Sequence, residues 1–229
     1  MKNVLIAGNW KSNKTTLEAK QWLQEWNIQL SNNPIIQWKN MTVVLCVPYT
    51  LLYMMKQEID RLKLPIDLGA QDVSPFAQGA YTGEVNARQI KELAQWVIIG
   101  HSERRKNFHE TDEVLAQKTS QAKLEGLSVL YCVPDDITLV PAGVDAVAYE
   151  PVWAIGTGKS DSPQNAQQVI QSIKSKTHVF CVIYGGSVTP DNVAAFMTQP
   201  AIDGVLPGGA SLDAQKFSSL IENATSIPS

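Results

Sequence analysis

Side chains able to carry a proton or a charge follow several short apolar runs of this sequence, at the point where each run ends. Lys11 follows the first run, His101 the fourth and Glu150 the sixth. A cation, an imidazole and a carboxylate are groups that general acid–base catalysis uses. Paired glycines follow the seventh and eighth runs, at 185–186 and 208–209, and such turns bind phosphate when they lead into helices. The set points to acid–base chemistry on a phosphorylated substrate.

Each of these residues also has an ordinary explanation when it is taken alone. Lys11 is then a solvated lysine, His101 a hydrogen-bonded structural histidine and Glu150 a loop carboxylate, and the paired glycines are turns. Their joint occurrence at strand ends favours a site, because the carboxyl ends of the strands of a parallel barrel form its active-site face. The spacing by itself leaves the reaction unnamed.

Eight short apolar runs alternate with helical patterns, and this alternation is typical of a parallel sheet. Eight units within about 250 residues predict a closed (β/α)₈ barrel, and we expect one domain over residues 1–229. A doubly wound open sheet is the alternative, but no G-x-G-x-x-G follows the first run, which disfavours dinucleotide binding. The strand runs are 3–8, 41–47, 66–70, 96–100, 128–133, 144–149, 179–184 and 201–206. The helical stretches are 17–30, 51–62, 87–94, 111–126, 162–174, 190–197 and 212–221.

The connection between the fifth and sixth runs is unusually short. Only the eleven residues 134–144 are available, whereas a crossover with its helix takes at least about 10–12, and prolines interrupt the segment. We therefore expect the helix there to be absent or a single turn. Val147 and Tyr149, expected on the outward face of the sixth strand, would lose their cover. The apolar area so exposed would lower stability or recruit another contact.

The composition of the chain disfavours several classes of protein and of binding partner. Lys and Arg number 19 and Asp and Glu 22, a formal net charge of −3, which gives no electrostatic case for nucleic-acid binding. Three widely spaced cysteines, Cys46, Cys132 and Cys181, argue against a disulfide framework and against a zinc site. No run approaches the ~18 apolar residues of a membrane span, and the N-terminus lacks a signal-peptide pattern. We expect a cytoplasmic protein that does not contact the membrane.

Beyond these patterns, the chain resembles a known enzyme family. The residues of the resemblance are Gly8–Asn13 (GNWKSN), Ala80–Glu84 (AYTGE), Ile99–Arg105 (IGHSERR), Ala148–Lys159 (AYEPVWAIGTGK), Tyr184–Val188 (YGGSV) and Gly208–Leu212 (GGASL). In this order they resemble the triosephosphate isomerase family, and the third and fourth are the most specific. The resemblance implies a TIM barrel that interconverts dihydroxyacetone phosphate and D-glyceraldehyde 3-phosphate, with no metal and no organic cofactor.

The resemblance also implies a role for each residue of the site. Glu150 would move a proton between adjacent carbons of the triose, through an enediolate. His101 would polarise the carbonyl as a neutral imidazole, kept neutral by the helix that begins after it. Lys11 would offset the developing negative charge, and Asn9 would hydrogen-bond the substrate oxygens. Glu103 would stand behind Lys11 as a supporting partner.

Two further parts of the site follow from the resemblance. A lid would close over the substrate and exclude water, and backbone N–H groups would hold the phosphate. The lid residues are Pro151, Val152, Trp153, Ala154, Ile155, Gly156, Thr157, Gly158 and Lys159. The phosphate-binding residues are Gly156, Ser187, Gly208 and Gly209.

The resemblance further implies a homodimer. The long loop 71–84 would insert into the partner near its Lys11 and His101, and the residues of this dimer loop are Gln71, Thr82, Gly83 and Glu84. Ser12 stands where the family usually has methionine, so we expect a weaker interface. Pro207 replaces the usual valine before the last glycine pair.

Two other functions remain possible at this point. One is another phosphate-binding barrel, such as a sugar-phosphate epimerase. The other is a binding or structural barrel that has lost its activity. The combination of Lys11, His101 and Glu150, together with the lid, disfavours both.

Overall fold

Eight parallel strands form a closed barrel in the computed structural model, which describes residues 3–32, 40–152 and 160–225. Each strand pairs with the next, and the eighth pairs with the first. The strands are β1 Val4–Asn9, β2 Met41–Val47, β3 Asp67–Ala70, β4 Trp96–Ile99, β5 Ser128–Val133, β6 Ala146–Tyr149, β7 Cys181–Tyr184 and β8 Gly204–Val205. The prediction of a closed (β/α)₈ barrel is therefore confirmed, and the open sheet is wrong.

The helices lie outside the barrel, in connections between strands and, for the last one, after β8. They are α1 Thr16–Asn32, α2 Tyr49–Leu62, α3 Ala87–Lys91, α4 Ser102–Asn107, α5 Asp112–Leu124, α6 Pro163–Thr177, α7 Val193–Met197 and α8 Ala214–Thr225. A 3₁₀ turn, Gly209–Leu212, precedes α8. Short polar residues at the helix starts explain two of the boundaries: the Thr111 side chain accepts from Val114 N, and Ser162 accepts from Asn165 N. No helix among the described residues is long and apolar enough to cross a membrane.

Side chains on each strand alternate between the inside of the barrel and the helix layer. On β5, Leu130 and Cys132 belong to the inner cluster, whereas Tyr131 and Val133 belong to the cluster under the helices. The residue that follows each strand lies beyond this alternating part, at the carboxyl end of the barrel, and its side chain can point towards that end. Glu150 lies directly after β6, and its N donates to Val133 O at 2.8 Å, which extends the β5–β6 ladder by one hydrogen bond.

The connection from β5 to β6, residues 134–145, contains no helix, so the prediction of a missing helix is confirmed. Val147 and Tyr149 do face outward, in the cluster under the helices. The expectation that they would be exposed is wrong, because only 0% and 4% of their surfaces are accessible. The exposed apolar side chains lie instead on the connection, at Ile137 and Leu139, with 78% and 75% accessible.

The connection packs on the apolar layer outside the barrel, and α6 contacts β6. Val140 and Val144 pack against the large cluster to which Val147 and Tyr149 belong. Asp136 fixes the connection to α6, where its carboxylate accepts from Ser172 Oγ at 2.5 Å and from Lys176 Nζ at 2.6 Å. The outer face of a strand can thus be buried without a helix in its own connection, and the spacing of residues in the sequence does not reveal this.

Candidate active site

One cavity of about 640 Å³ opens at the carboxyl ends of the strands. The residues predicted for acid–base chemistry and for phosphate line it together, although they come from different parts of the chain. They are Asn9, Lys11, His101, Glu150, Ser187, Gly208 and Gly209. A cavity at this face, with a few convergent polar groups, is the usual location of a barrel enzyme's site.

Glu150 is the most deeply buried charged residue of the cavity, with 1% of its surface accessible. Its Oε2 accepts from Ser102 N at 2.8 Å, and its Oε1 lies 3.2 Å from His101 Nε2. A Cβ atom on residue 185 would come within 2.9 Å of Glu150 Cγ. Only glycine at that position therefore leaves room for the carboxylate.

The hydrogen bonds of His101 define its tautomer. His101 caps α4, and its Nδ1 accepts from Glu103 N at 3.2 Å. Because Nδ1 accepts, the proton of the neutral ring lies on Nε2. That N–H lies next to Glu150 at the cavity wall.

Lys11 has a left-handed backbone, with φ of 51°, a conformation that costs a non-glycine residue about 1–3 kcal/mol. Two side chains hold it in place. Lys11 N donates to Asn9 Oδ1 at 2.9 Å, and Lys11 O accepts from Gln71 Nε2 at 2.9 Å. The ammonium Nζ forms an ion pair with Glu103 Oε1 at 2.5 Å.

Asn9 presents its amide N–H groups to the cavity. Its Oδ1 already accepts from Lys11 N and from Gln71 Nε2, the latter at 3.2 Å. Gln71 also donates to Cys46 O at 3.2 Å. Gln71 was predicted as a dimer-loop residue, but its side chain here orients Asn9 and Lys11 of its own chain, a role that sequence reasoning missed.

Cys132 is a second residue that sequence reasoning missed. It lies on the inner face of β5, fully buried, and its side chain hydrogen-bonds Glu150. Burial, and then the neighbouring carboxylate, raise the pKa of the Cys132 thiol well above its usual value. The thiol therefore stays protonated and can donate to Glu150. The β5 alternation places Cys132 inside the barrel, but nothing in the sequence pairs it with Glu150.

The glycine end of the cavity has exposed backbone. Gly208 O accepts from both the N and the Oγ of Ser211, which fixes the 3₁₀ turn. A Cβ atom on Gly209 would meet nothing within 4 Å, so a ligand can approach this backbone closely. Ser187 lines the same end.

Most of the predicted lid lies outside the described residues. Pro151 is buried and Val152 is 58% accessible, whereas residues 153–159, including Gly156, are not described. After this gap the chain is fixed at Asp161, whose N donates to Tyr184 Oη at 2.8 Å. Burial raises the pKa of Tyr184 to about 12, so the phenol keeps its proton.

The predicted dimer loop protrudes from the chain. Residues 76–84, which include Thr82, Gly83 and Glu84, are all exposed. The rings of Phe76 and Tyr81 stack within the loop, with their centroids 4.1 Å apart.

Within the described ranges, no group of three or more His, Cys, Asp or Glu residues could hold a metal ion.

The chain is similar to known proteins over almost its whole length. A family model described as triosephosphate isomerase matches residues 4–224. A triosephosphate isomerase of Trichodesmium erythraeum is 39% identical, with 96% of this chain and 99% of that protein aligned. Those of Synechococcus sp. (strain JA-2-3B'a(2-13)) and Corynebacterium glutamicum are each 37% identical, aligned over 96% and 97% of this chain and 97% of each relative.

Proposed function

The chain belongs to the triosephosphate isomerase family, and on that premise we propose that it interconverts dihydroxyacetone phosphate and D-glyceraldehyde 3-phosphate. One observation carries the proposal: Glu150, a His101 with its proton on Nε2, and Lys11 line a single cavity. The reaction moves one proton between neighbouring carbons and a second between the two oxygens that those carbons carry, and it leaves the composition of the substrate unchanged. A carboxylate can carry the first proton, and an imidazole ring beside the two oxygens can carry the second.

In the proposed mechanism Glu150 removes the proton from the carbon beside the carbonyl of dihydroxyacetone phosphate. The carboxylate now accepts from Ser102 N and lies beside His101 Nε2, so it must turn from these partners to face the substrate. His101 Nε2–H gives its proton to the carbonyl oxygen, and the ring takes up the proton of the neighbouring hydroxyl, whose oxygen becomes the carbonyl oxygen of the product. Glu150 returns the proton to the neighbouring carbon. Burial excludes water, which strengthens each of these interactions.

The charge that develops in the enediolate has two other partners. Lys11 Nζ supplies a positive charge at the cavity wall, and Asn9 supplies N–H donors. Both are held before the substrate arrives, by the ion pair with Glu103 and by the Gln71 side chain. Donors that are already oriented stabilise a transition state without having to reorganise.

We assign phosphate recognition to the backbone of Ser187, Gly208, Gly209 and Gly156, and closure over the substrate to Pro151–Lys159. The open backbone at Gly209 supports the phosphate assignment. A mimic of the enediolate that carries a phosphate should bind far more tightly than its phosphate-free counterpart. Equal affinity of the two compounds would reject this phosphate site.

We propose that the chain forms one domain and assembles as a homodimer through loop 71–84. The exposure of residues 76–84 supports this assembly. A cytoplasmic location is proposed because the part of the chain that the structure describes shows no disulfide.

A coupled assay in both directions tests the proposed reaction directly. We expect turnover of both triose phosphates, and its loss in Glu150→Gln, which keeps the size of the side chain and removes the base. The matched control, Glu125→Gln, changes an exposed carboxylate at the end of α5. Turnover of a pentose phosphate without turnover of trioses would favour the epimerase instead.

A further inference from the structure

The cavity wall includes two charged side chains that the proposed mechanism does not use. Lys216 lies in the first turn of α8, and Asp191 lies between β7 and α7. Both residues are exposed. They share the wall with Ser187, Gly208 and Gly209, the residues assigned to phosphate.

Neither charge is neutralised by a neighbour among the described residues. The structure shows no ion pair or side-chain hydrogen bond there for the ammonium of Lys216 or the carboxylate of Asp191. Lys11, by contrast, is paired with Glu103 at 2.5 Å. Lys216 is therefore the cation of the described cavity wall that remains free for an incoming anion.

Both residues have well-fixed backbones. Lys216 N donates to Asp213 Oδ1 at 2.8 Å, which caps the start of α8. Asn192 accepts from Thr189 N at 2.9 Å, and its Nδ2 donates to Ser187 O at 3.2 Å. Asn223 of α8 donates to Pro190 O at 2.9 Å. The segment that carries Asp191 is thus tied both to α8 and to the phosphate end.

A free cation at this place has a specific use. The substrate carries a phosphate dianion, whereas the chain has a net charge of −3, so attraction must come from local charges. Fixed charges at the mouth of a cleft raise the rate at which charged ligands enter, and salt suppresses the effect. Enzymes of this family are the standard example of kcat/KM near the diffusion limit, where the rate of capture is visible in the kinetics.

We propose that Lys216 attracts the substrate phosphate into the cavity and that Asp191 opposes it, so that their balance sets the rate of substrate capture. This inference rests on the proposed function. It assigns Lys216 and Asp191 to positioning the anion before chemistry, and it leaves proton transfer to Glu150 and His101.

The test compares Lys216→Gln with Asp191→Asn at two ionic strengths. At about 0.01 M the screening length is about 30 Å, and at 1 M it is about 3 Å. At low salt we expect Lys216→Gln to lower kcat/KM about three- to tenfold and Asp191→Asn to raise it about twofold. Both effects should disappear at 1 M, and both should lie in kcat/KM and not in kcat.

Matched controls separate this role from a structural one. Lys20→Gln on α1 and Glu125→Gln remove exposed charges of the same signs that do not line the cavity, and neither should change the low-salt kcat/KM. A loss in Lys216→Gln that is equal at both ionic strengths, or that Lys20→Gln reproduces, would overturn the proposal.

A second measurement keeps the inference independent of the reaction. Inorganic phosphate binding, followed by calorimetry at low salt, should weaken about threefold or more in Lys216→Gln and strengthen in Asp191→Asn. An inactive wild type that still shows this pattern would reject the proposed reaction alone. Unchanged phosphate binding in both variants would reject the role of the two charges.

Discussion

The Glu150 side chain is closely confined by Ser102 N, His101 Nε2 and Gly185. A change in its length therefore moves the carboxylate out of position. Glu150→Asp keeps the charge but withdraws it by one methylene. Because a misplacement of about 1 Å can cost on the order of 100-fold, we expect turnover to fall by at least that factor with little change in KM. Steady-state kinetics of the pure variant provide the measurement.

His101→Gln is the companion variant, since it removes the ring whose Nε2–H faces the substrate. Glu125→Asp serves as the control for the loss of a methylene at an exposed site. If either Glu150→Asp or His101→Gln leaves turnover within a factor of two of wild type, the assigned roles are wrong.

Gln71 offers a test of positioning at the residue scale. Gln71→Leu removes its donors to Asn9, Lys11 and Cys46 and frees the strained Lys11 backbone. We expect turnover to fall about tenfold and the free energy of unfolding to fall by about 1–3 kcal/mol. Gln168→Leu, at an exposed position of α6, should change neither, and a Gln71→Leu enzyme with normal turnover would remove Gln71 from the site.

The sequence predicts the residues of this site better than it predicts their supports. Lys11, His101 and Glu150 stand out because polar residues directly after apolar strands are conspicuous. Cys132 and Gln71 do not stand out, because a cysteine within a strand and a glutamine opening a loop have many uses. Their contacts depend on which strands become neighbours, and that is a property of the closed barrel.

At the scale of elements, Asp136 is the main tie between the β5–β6 connection and α6. Hydrogen bonds from Lys176 and Ser172 lower the pKa of Asp136 in the folded chain. A lowered folded pKa stabilises the fold above the unfolded pKa of about 3.9, and the contribution is lost as pH falls through the folded value. Asp136→Asn should therefore reduce stability at pH 7, by about 0.2–1 kcal/mol for so exposed a pair.

Denaturant unfolding at two pH values checks whether the stabilisation by Asp136 decreases as the pH falls. The difference between wild type and Asp136→Asn should shrink as pH is lowered from 7 towards the folded pKa. Glu125→Gln gives the baseline for a carboxylate outside any ion pair of the described residues. A difference that grows on acidification would contradict the assigned contacts.

The β5–β6 connection also shows what the sequence predicts about the elements and what it does not. Chain length and prolines suffice to exclude a long helix over 134–144, because they bound the reach of the segment. They do not determine how Val140 and Val144 pack on the apolar layer outside the barrel. The period of β6 shows that Val147 and Tyr149 face outward, but burial depends on what lies above them.

For the whole molecule, the proposed homodimer predicts a concentration-dependent mass. Sedimentation of wild type should show a dimer at high concentration that dissociates on dilution, because we expect Ser12, in place of the family's usual methionine, to weaken the proposed interface. Thr82→Arg should shift this equilibrium to monomer and lower activity, whereas Gln168→Arg on the exposed face of α6 provides a control for the added charge. A monomer at high concentration with full activity would contradict both the interface and its contribution to the site.

The missing helix also changes the order in which the barrel can assemble. β5 and β6 are separated by the shortest crossover of the described chain, residues 134–145. Closing a short loop costs less chain entropy, and contacts that are near in sequence form faster. The β5–β6 pair is thus suited to nucleate the barrel during refolding. Pulse-labelled amide exchange should protect Val147 and Tyr149 before the β1–β8 seam, whose two strands lie at opposite ends of the chain and must meet last.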